Sequence, residues 1–145
     1  MEKIRIKRLR EGAQIPTYGT EFSAGADLYA CLEEAITIAP GETAKIPTGL
    51  AMELPVGTAG LVFARSSLGT KKGLAPANKV GVIDSDYRGE VLVVLHNHSR
   101  ETRQIAPGER VAQLLIVPVF TPGFVEAQEL SDTHRGAGGF GSTGK

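Results

Sequence analysis

Glycine and proline interrupt this chain so often that long helices are disfavoured. The sequence holds 18 glycines and 8 prolines among 145 residues, and both residue types break regular elements or mark turns. Short apolar runs of strand length lie between them, for example at 60–64 and 90–97. Turns at such spacing are typical of an all-β sandwich or barrel. We therefore predict an all-β, jelly-roll-like fold with at most one short helix, for which residues 66–71 are the best candidate.

The last eleven residues, 135–145, differ from the rest of the chain. They include five glycines, and Phe140 is their single large apolar side chain. Ordering this backbone costs about 1–2 kcal/mol per residue, whereas burial of Phe140 returns only about 1.5–3 kcal/mol. A disordered terminus is the general expectation for such a segment, but its arginine, serine and threonine side chains favour a segment that becomes ordered on a ligand. We therefore predict a core domain at 1–134 and a mobile, phosphate-binding lid at 135–145.

Composition excludes several classes of partner. The net charge is zero, with 16 basic and 16 acidic residues, so we expect no binding to nucleic acid, which favours a basic excess. Cys31 is the single cysteine, which rules out an intrachain disulfide and a zinc site of the CxxC type. No apolar run approaches the roughly 20 residues of a membrane span, and residues 1–8 alternate charge with isoleucine instead of leading into a signal-peptide core. We therefore expect a cytoplasmic protein that does not bind membranes.

Polar residues follow two of the apolar runs. The run at 60–64 ends at Arg65, and Ser66 and Ser67 come next. A cation, two hydroxyls and unpaired backbone N–H groups at one point suit an anion, although a serine pair after a strand also serves as a simple cap. Asp84 ends another apolar run and should lie at the mouth of the core. A carboxylate there can act as a general base, an effect worth about 10²–10⁴-fold in rate.

Other polar residues have a structural explanation from the sequence alone. Asp27 and Gln113 are embedded in apolar runs, and buried polar side chains are usually satisfied by hydrogen bonds within the protein. His96 and His98 have the spacing of a metal-ligand pair on one strand face. No third ligand motif accompanies them, so we predict no metal ion bound directly by protein side chains.

Five segments, taken in order, resemble the five motifs of the trimeric dUTP pyrophosphatase (dUTPase) family. Each motif is short, but five in sequence across nearly the whole chain are a specific signal. The matching segments are residues 24–28, 65–68, 81–90, 108–114 and 135–144.

The resemblance implies an enzyme that hydrolyses dUTP to dUMP and pyrophosphate, by attack of water on the α-phosphorus with Mg²⁺ as cofactor. Such an activity limits uracil incorporation into DNA and supplies dUMP for dTMP synthesis. The family fold is a β jelly roll that assembles as a homotrimer, with active sites at the subunit interfaces. The implied small-molecule partner is dUTP.

The resemblance also implies roles for residues near the base and the sugar. Asp84 matches the residue that orients and deprotonates the attacking water. Tyr87 matches the aromatic that packs on the deoxyribose and leaves no room for a 2′-hydroxyl. The uracil side of the site matches Asn78, with backbone groups around Val82 and Ile83, and Leu92 where many members carry a longer Lys or Met.

Further matches surround the triphosphate. Arg65, Ser66 and Ser67 match phosphate contacts, while Asp27 and Gln113 match residues that reach the metal through water. In the lid, Phe140 matches an aromatic residue that stacks on uracil. Three further lid residues match γ-phosphate contacts, namely Arg135, Ser142 and Thr143.

Two alternatives remain open from the sequence. A dCTP deaminase, or a bifunctional enzyme, shares the jelly roll and the Arg-Ser-Ser segment, but its chemistry needs an additional glutamate in the pocket and its chains are longer. A non-catalytic jelly-roll module that binds nucleotides is the other alternative. Asp84 and Tyr87 weigh against it, because a protein that only binds has no use for a positioned base.

Overall fold

The computed structural model describes residues 3–144. Met1 and Glu2 of the predicted core, and Lys145 of the predicted lid, lie outside the described residues. Within that range the chain forms twelve strands and one short helix, as the sequence predicts for an all-β fold. The strands are β1 (Arg5–Arg8), β2 (Thr17–Tyr18), β3 (Ala26–Tyr29), β4 (Ile36–Ile38), β5 (Thr43–Pro47), β6 (Leu50–Glu53), β7 (Thr58–Phe63), β8 (Leu74–Pro76), β9 (Gly81–Ile83), β10 (Leu92–Asn97), β11 (Arg103–Ile105) and β12 (Arg110–Pro118).

The largest sheet has five strands in the order β2-β3-β12-β7-β9. Its centre is β12, which is antiparallel to both neighbours, so that Gln113 lies opposite Asp27 on β3 and Phe63 on β7. A second sheet has the order β5-β10-β8, and β1-β6 and β11-β4 form separate pairs. The pairing of β12 therefore brings three segments that are distant in the sequence to one place.

The core lies between the two larger sheets and is aliphatic. Leu28, Val62 and Leu114 come from the five-stranded sheet, and Ile46 and Leu95 from the three-stranded sheet, all within one buried cluster. Strand β10 alternates between exposed and buried positions, the pattern of a strand with one face on the core. A chain with only 6% aromatic residues fills its interior with branched side chains that suit a pleated surface.

The apolar residues 43–54 form two strands, β5 and β6. The run breaks after β5 because Gly49 has a φ of +69°, a conformation that residues with a Cβ rarely adopt. A Cβ at this position would also lie 2.8 Å from Ala13 Cβ and 3.0 Å from Cys31 Sγ. Both the backbone angle and the space therefore require glycine at the turn.

Three strands, β2, β8 and β11, carry too little pattern to be predicted from the sequence. They are two or three residues long, and each holds a single large apolar side chain, whereas the equally short β4 and β9 hold two branched aliphatic ones. The predicted helix at 66–71 is present one residue later, at Ser67–Lys72, with the wide winding of a π-helix. Gly73 ends it at a φ of +68°, and its N–H donates to the Leu68 carbonyl, a common way for a helix to stop.

Beyond β12 the chain leaves the core. Residues 119–144, which we call the C-terminal arm, are exposed throughout. Large apolar side chains lie along it, including Phe124, which is 100% exposed, and Leu130, which is 88% exposed. Across residues 3–144 the structure has no helix of the length and apolarity that crossing a membrane requires.

Asn97, at the end of β10, is a fully buried polar residue. Its Nδ2 donates to the carbonyls of Ile38 at 2.9 Å and Glu101 at 2.8 Å. Its Oδ1 accepts from the backbone N–H of Ser99 at 3.0 Å and from the Ser99 hydroxyl at 2.7 Å. The amide nitrogen thus links β4 to the loop after β10, and the amide oxygen binds the same loop. No other side chain of this size offers both two N–H donors and a carbonyl acceptor.

We expect Asn97→Ala to lower the free energy of unfolding by about 2–3 kcal/mol, because buried carbonyls lose their donors. Asn97→Asp should also turn a carboxylate oxygen toward two carbonyls. The pKa of that buried carboxyl would rise above its value in the unfolded chain. The folded state would then hold its proton more tightly than the unfolded state, so the free energy of unfolding would fall as pH rises. Urea unfolding at pH 5 and pH 8, at fixed protein concentration, tests this. We expect the loss of unfolding free energy relative to wild type to be larger at pH 8 than at pH 5 for Asn97→Asp, and equal at both pH values for Asn97→Ala. An equal loss at both pH values for Asn97→Asp would contradict this.

Candidate active site

A cavity of about 240 Å³ lies beside β9 and β10. It is lined by residues from β9, from the turn that follows it and from the start of β10, and we call it the β9–β10 pocket. The apolar part of its wall includes Val62 and Val93. Six residues predicted from the sequence line this one cavity, namely Asn78, Val82, Ile83, Asp84, Tyr87 and Leu92.

The turn before β9 positions Asn78. Lys79 has a φ of +69°, and this rare conformation in a residue with a Cβ is found mostly at turns and functional sites. Two backbone hydrogen bonds hold it, from the Lys79 N–H to the Pro76 carbonyl at 2.9 Å and from the Val80 N–H to the Asn78 carbonyl at 2.8 Å. The backbone next to Asn78 is therefore fixed before any ligand arrives.

The turn after β9 positions Asp84 and Tyr87. The Tyr87 N–H donates to the Asp84 carbonyl at 3.1 Å, which closes a tight turn directly after the strand. Arg88 braces this turn, because its guanidinium donates to the carbonyls of Ser85 at 2.7 Å and Tyr87 at 3.1 Å. Asp84 is exposed, so its carboxylate is open to water at the edge of the pocket.

The ring of Tyr87 lies against the backbone of Gly89. A Cβ at Gly89 would be 2.6 Å from the ring Cζ, which leaves no room for any other residue. The Tyr87 hydroxyl donates to the Glu90 carbonyl at 2.9 Å. The backbone and the hydroxyl of Tyr87 are therefore both held, and its side chain lines the pocket.

A second group of predicted residues surrounds Asp27, and we call it the Arg65 cluster. Arg65 Nε donates to Asp27 Oδ1 at 2.7 Å, and Arg65 Nη1 donates to the Ser67 hydroxyl at 3.1 Å. Gln113 Nε2 donates to the Ala64 carbonyl at 2.9 Å. Ser66 precedes the short helix and makes no capping hydrogen bond with its side chain. The pairing of β12 with β3 and β7 is what brings these residues together.

Arg110 belongs to the same cluster and was not predicted as a site residue. Its Nη1 donates to Asp27 Oδ2 at 3.3 Å, so two guanidinium groups share one carboxylate and a net positive charge remains. The Asp27 side chain is only 12% exposed, whereas that of Arg110 is 50% exposed. Arg110 lies within the matched segment 108–114, but only the pairing of β12 with β3 reveals its partner.

Asp84 and Arg65 of one chain are far apart. Gly60 on β7 pairs with Ile83 on β9 in an antiparallel register, so Asp84 lies beside Ala59. Arg65 is six positions further along, which at about 3.3 Å per residue is roughly 20 Å away. That separation exceeds the distance from the α- to the γ-phosphate of a nucleotide.

The structure does not bring the predicted lid residues to either group. Arg135, Phe140, Ser142 and Thr143 are all exposed. Backbone hydrogen bonds of 3.1 Å close successive tight turns, for example from the Gly138 N–H to the Arg135 carbonyl and from the Ser142 N–H to the Gly139 carbonyl. The roles predicted for these side chains stay predictions.

Metal-binding side chains are not grouped in the described part of the chain. Within residues 3–144 no three of His, Cys, Asp or Glu lie close enough together to hold a metal ion. His96 Nδ1 lies 3.0 Å from the Thr43 hydroxyl, so its ring has a hydrogen-bond partner on β5. Asp27 and Gln113 of the Arg65 cluster carry the side-chain oxygens that lie beside the candidate phosphate-binding residues.

The sequence and the fold of this chain match proteins of one family. A family model described as dUTPase matches residues 11–144. The chain is 52% identical over 143 residues to the deoxyuridine 5′-triphosphate nucleotidohydrolase of Desulfitobacterium hafniense. That match covers 98% of this chain and 95% of the other protein. It is 47% identical over 148 residues to the protein of the same name from Acinetobacter baumannii, with 99% of both chains covered.

Solved structures agree with this assignment. The Staphylococcus bacteriophage 80alpha dUTPase with dUpNHpp has a TM-score of 0.90 and 28% identity, and the match covers 100% of both chains. A dUTPase from phage phi11 of S. aureus, described with a structural Mg(II) ion, has a TM-score of 0.80 and 27% identity over 88% of this chain and 98% of that one. The similarity confirms the predicted jelly roll, and the chain therefore belongs to the dUTPase family and is a dUTP diphosphatase.

Proposed function

We propose that this chain hydrolyses dUTP to dUMP and pyrophosphate by Mg²⁺-dependent attack of water on the α-phosphorus. The observation that carries the proposal is the gathering of six predicted residues, with Asp84 among them, around one cavity. The reaction would limit uracil incorporation into DNA and supply dUMP for dTMP synthesis.

The β9–β10 pocket is proposed to select uracil. Asn78 and the backbone of Val82 and Ile83 line it, and hydrogen-bonding groups on fixed backbone reject a base whose donors and acceptors are exchanged, as in cytosine. The same rigid backbone is proposed to exclude the methyl group of thymine sterically. Leu92 adds an apolar contact to the same wall.

Asp84 is proposed to act as the general base. It follows the last residue of β9 and lines the pocket, and its exposure lets it take a proton from a water molecule. Tyr87, three residues later, is proposed to pack on the deoxyribose. The fixed ring would then exclude a ribose, whose 2′-hydroxyl needs additional space.

The Arg65 cluster is proposed to bind the phosphates. Arg65 and the hydroxyls of Ser66 and Ser67 supply a cation and donors, which suit phosphate oxygens. Mg²⁺ prefers oxygen ligands and keeps several waters, so Asp27 and Gln113 would hold it through water. The ion would neutralise charge on the triphosphate. The structural Mg(II) ion of the phi11 phage dUTPase supports a role for this metal.

A homotrimer with active sites shared between subunits is proposed from the separation of Asp84 and Arg65. These two residues of one chain lie roughly 20 Å apart along the sheet, so they do not reach the same triphosphate. A second copy that places its Arg65 cluster beside this pocket would complete the site. The exposed apolar side chains of the C-terminal arm also indicate a surface that is covered in an assembly.

Residues 135–145 are proposed to be a mobile lid on a core of residues 1–134. Arg135, Ser142 and Thr143 would contact the γ-phosphate, and Phe140 would stack on uracil, an interaction worth about 1–3 kcal/mol elsewhere. The support is that residues 135–144 are exposed and rich in glycine, so a bound nucleotide would supply the contacts that order them.

The alternative of a dCTP deaminase is not favoured by the pocket. That chemistry needs a glutamate that carries protons at the pyrimidine. Glu90 is the glutamate that lines the pocket, and its carboxylate is already engaged by Arg10 and by the Gly49 N–H. The relatives of this chain are also named nucleotidohydrolases.

Nucleotide selectivity tests the proposed function directly. With Mg²⁺ present, we expect kcat/KM for dUTP to exceed that for dTTP, dCTP and UTP by about 10²-fold or more, because the pocket rejects each by sterics or by unpaired polar groups. Pyrophosphate release measures all four rates, and chelation of the metal should stop the reaction. Equal rates on the four nucleotides would rule out the proposed base and sugar selection.

Replacement of Asp84 tests the general base. We expect Asp84→Asn to lower kcat by about 10²–10⁴-fold while binding of the analogue dUpNHpp changes little, because the amide keeps the shape of the carboxylate. Asp86→Asn is the matched control, since Asp86 is an exposed carboxylate in the same turn that does not line the pocket. An unchanged kcat in Asp84→Asn would remove this residue from the proposed role.

Deletion of residues 135–145 tests the lid. We expect a truncated protein with the melting temperature and sedimentation of the intact trimer, because residues 135–144 are exposed in the chain, but with little dUTPase activity. Phe140→Ala, in the full chain, should raise KM by about tenfold, the loss of one stacking contact. A truncated protein that aggregates or unfolds would show that the segment is structural.

A further inference from the structure

An ion pair joins the N-terminal segment to the edge of the pocket. Arg10 Nε donates to Glu90 Oε1 at 2.8 Å, and Arg10 Nη2 donates to Glu90 Oε2 at 3.0 Å. Two parallel N–H···O bonds fix both the distance and the orientation of the partners, more than a single contact would. The hydrogen bond to Glu90 is also the main reason that the pKa of Arg10 is raised above its ordinary value.

The carboxylate of Glu90 has a third donor. The Gly49 N–H, at the turn between β5 and β6, donates to Glu90 Oε1 at 3.0 Å. Only 17% of the Glu90 side chain is exposed, compared with 53% of Arg10, so Glu90 depends on these donors in place of water. Removing Arg10 would leave a largely desolvated carboxylate with one protein donor, and the Glu90 side chain would turn toward water.

The backbone of Glu90 holds Tyr87. The Tyr87 hydroxyl donates to the Glu90 carbonyl at 2.9 Å, and the hydroxyl end of the ring lies close to Gly89. Arg88 braces the backbone of Tyr87 independently, through the Ser85 carbonyl. The far end of the ring therefore depends on the position of the Glu90 peptide. The Val91 N–H of that peptide donates to the Leu50 carbonyl at 2.8 Å, and the Glu90 side chain that Arg10 holds is its second restraint.

We propose that Arg10, through Glu90, is a positioning residue that sets the Tyr87 ring for discrimination between deoxyribose and ribose. Arg10 does not line the β9–β10 pocket and acts only through the Glu90 peptide. The proposal rests on the proposed function, in which Tyr87 packs on the sugar. It adds a contribution to sugar selection from a residue 74 positions before the catalytic Asp84.

The expected size of the effect follows from the exposure of the pair. An exposed ion pair contributes little to stability, so loss of Arg10 should leave the fold intact. A bidentate pair with one partly buried member is stronger, and its loss should lower the ratio of kcat/KM for dUTP to kcat/KM for UTP by about three- to tenfold. The kcat for dUTP should stay within about twofold, because the position of Asp84 depends on the turn that Arg88 braces.

The experiment compares Arg10→Gln, Arg10→Lys and the control Arg103→Gln in the full chain. Arg10→Lys keeps the charge but not the bidentate geometry, so its dUTP:UTP ratio should lie between those of wild type and Arg10→Gln. Arg103→Gln removes another arginine–glutamate pair, with Glu101, and should leave the ratio unchanged because neither residue lines the pocket. Melting temperatures of all variants show whether each is folded.

A double-mutant cycle with Tyr87→Phe separates positioning from a general structural effect. Without the hydroxyl, the Glu90 carbonyl no longer holds the ring, so Arg10→Gln should change the ratio no further in that background. Additive effects, or an unchanged ratio in Arg10→Gln alone, would overturn the inference while leaving the proposed function intact. A wild-type protein that did not prefer dUTP to UTP would overturn both.

Discussion

The antiparallel pairing of β12 with both β3 and β7 is the constraint on which the phosphate-binding side of this protein depends. It places Gln113 opposite Asp27 on one side and Phe63 on the other. From that register the chain beyond β7 delivers Arg65 to Asp27, and β12 itself delivers Arg110 to the same carboxylate. A shift of β12 by one residue against its neighbours would turn these polar side chains to the opposite face of the sheet. The strand register therefore determines whether the Arg65 cluster forms.

Two partly buried carboxylates organise the two halves of the site in different ways. Asp27 binds two guanidinium groups and leaves a net positive charge that suits phosphate. Glu90 binds one guanidinium and one backbone N–H, which neutralises its charge, and its backbone carbonyl holds Tyr87. The arrangement around Asp27 attracts an anionic ligand, while the arrangement around Glu90 fixes the shape of the wall of the β9–β10 pocket.

Strands with a clear apolar pattern could be predicted from the sequence, and those without one could not. In strand β10 buried positions alternate with less buried ones, whereas β2, β8 and β11 each hold a single large apolar side chain, which is too little pattern to recognise. The gathering of Asn78, Asp84 and Leu92 in one pocket follows from their nearness in the sequence to β9 and β10. Arg10 and Arg110 were missed because a salt bridge between residues 80 or 83 positions apart leaves no local pattern.

The sequence by itself determined the all-β character, the turn positions and the family, because these depend on local apolar periods, on glycine and proline, and on ordered short motifs. Only the tertiary structure decided which arginine meets which carboxylate, since strand register brings distant residues into contact. It also decided that Asp84 and Arg65 of one chain lie toward opposite ends of the β7–β9 pair. That separation is a property of strand geometry, in which each residue advances the chain by about 3.3 Å, and no motif records it.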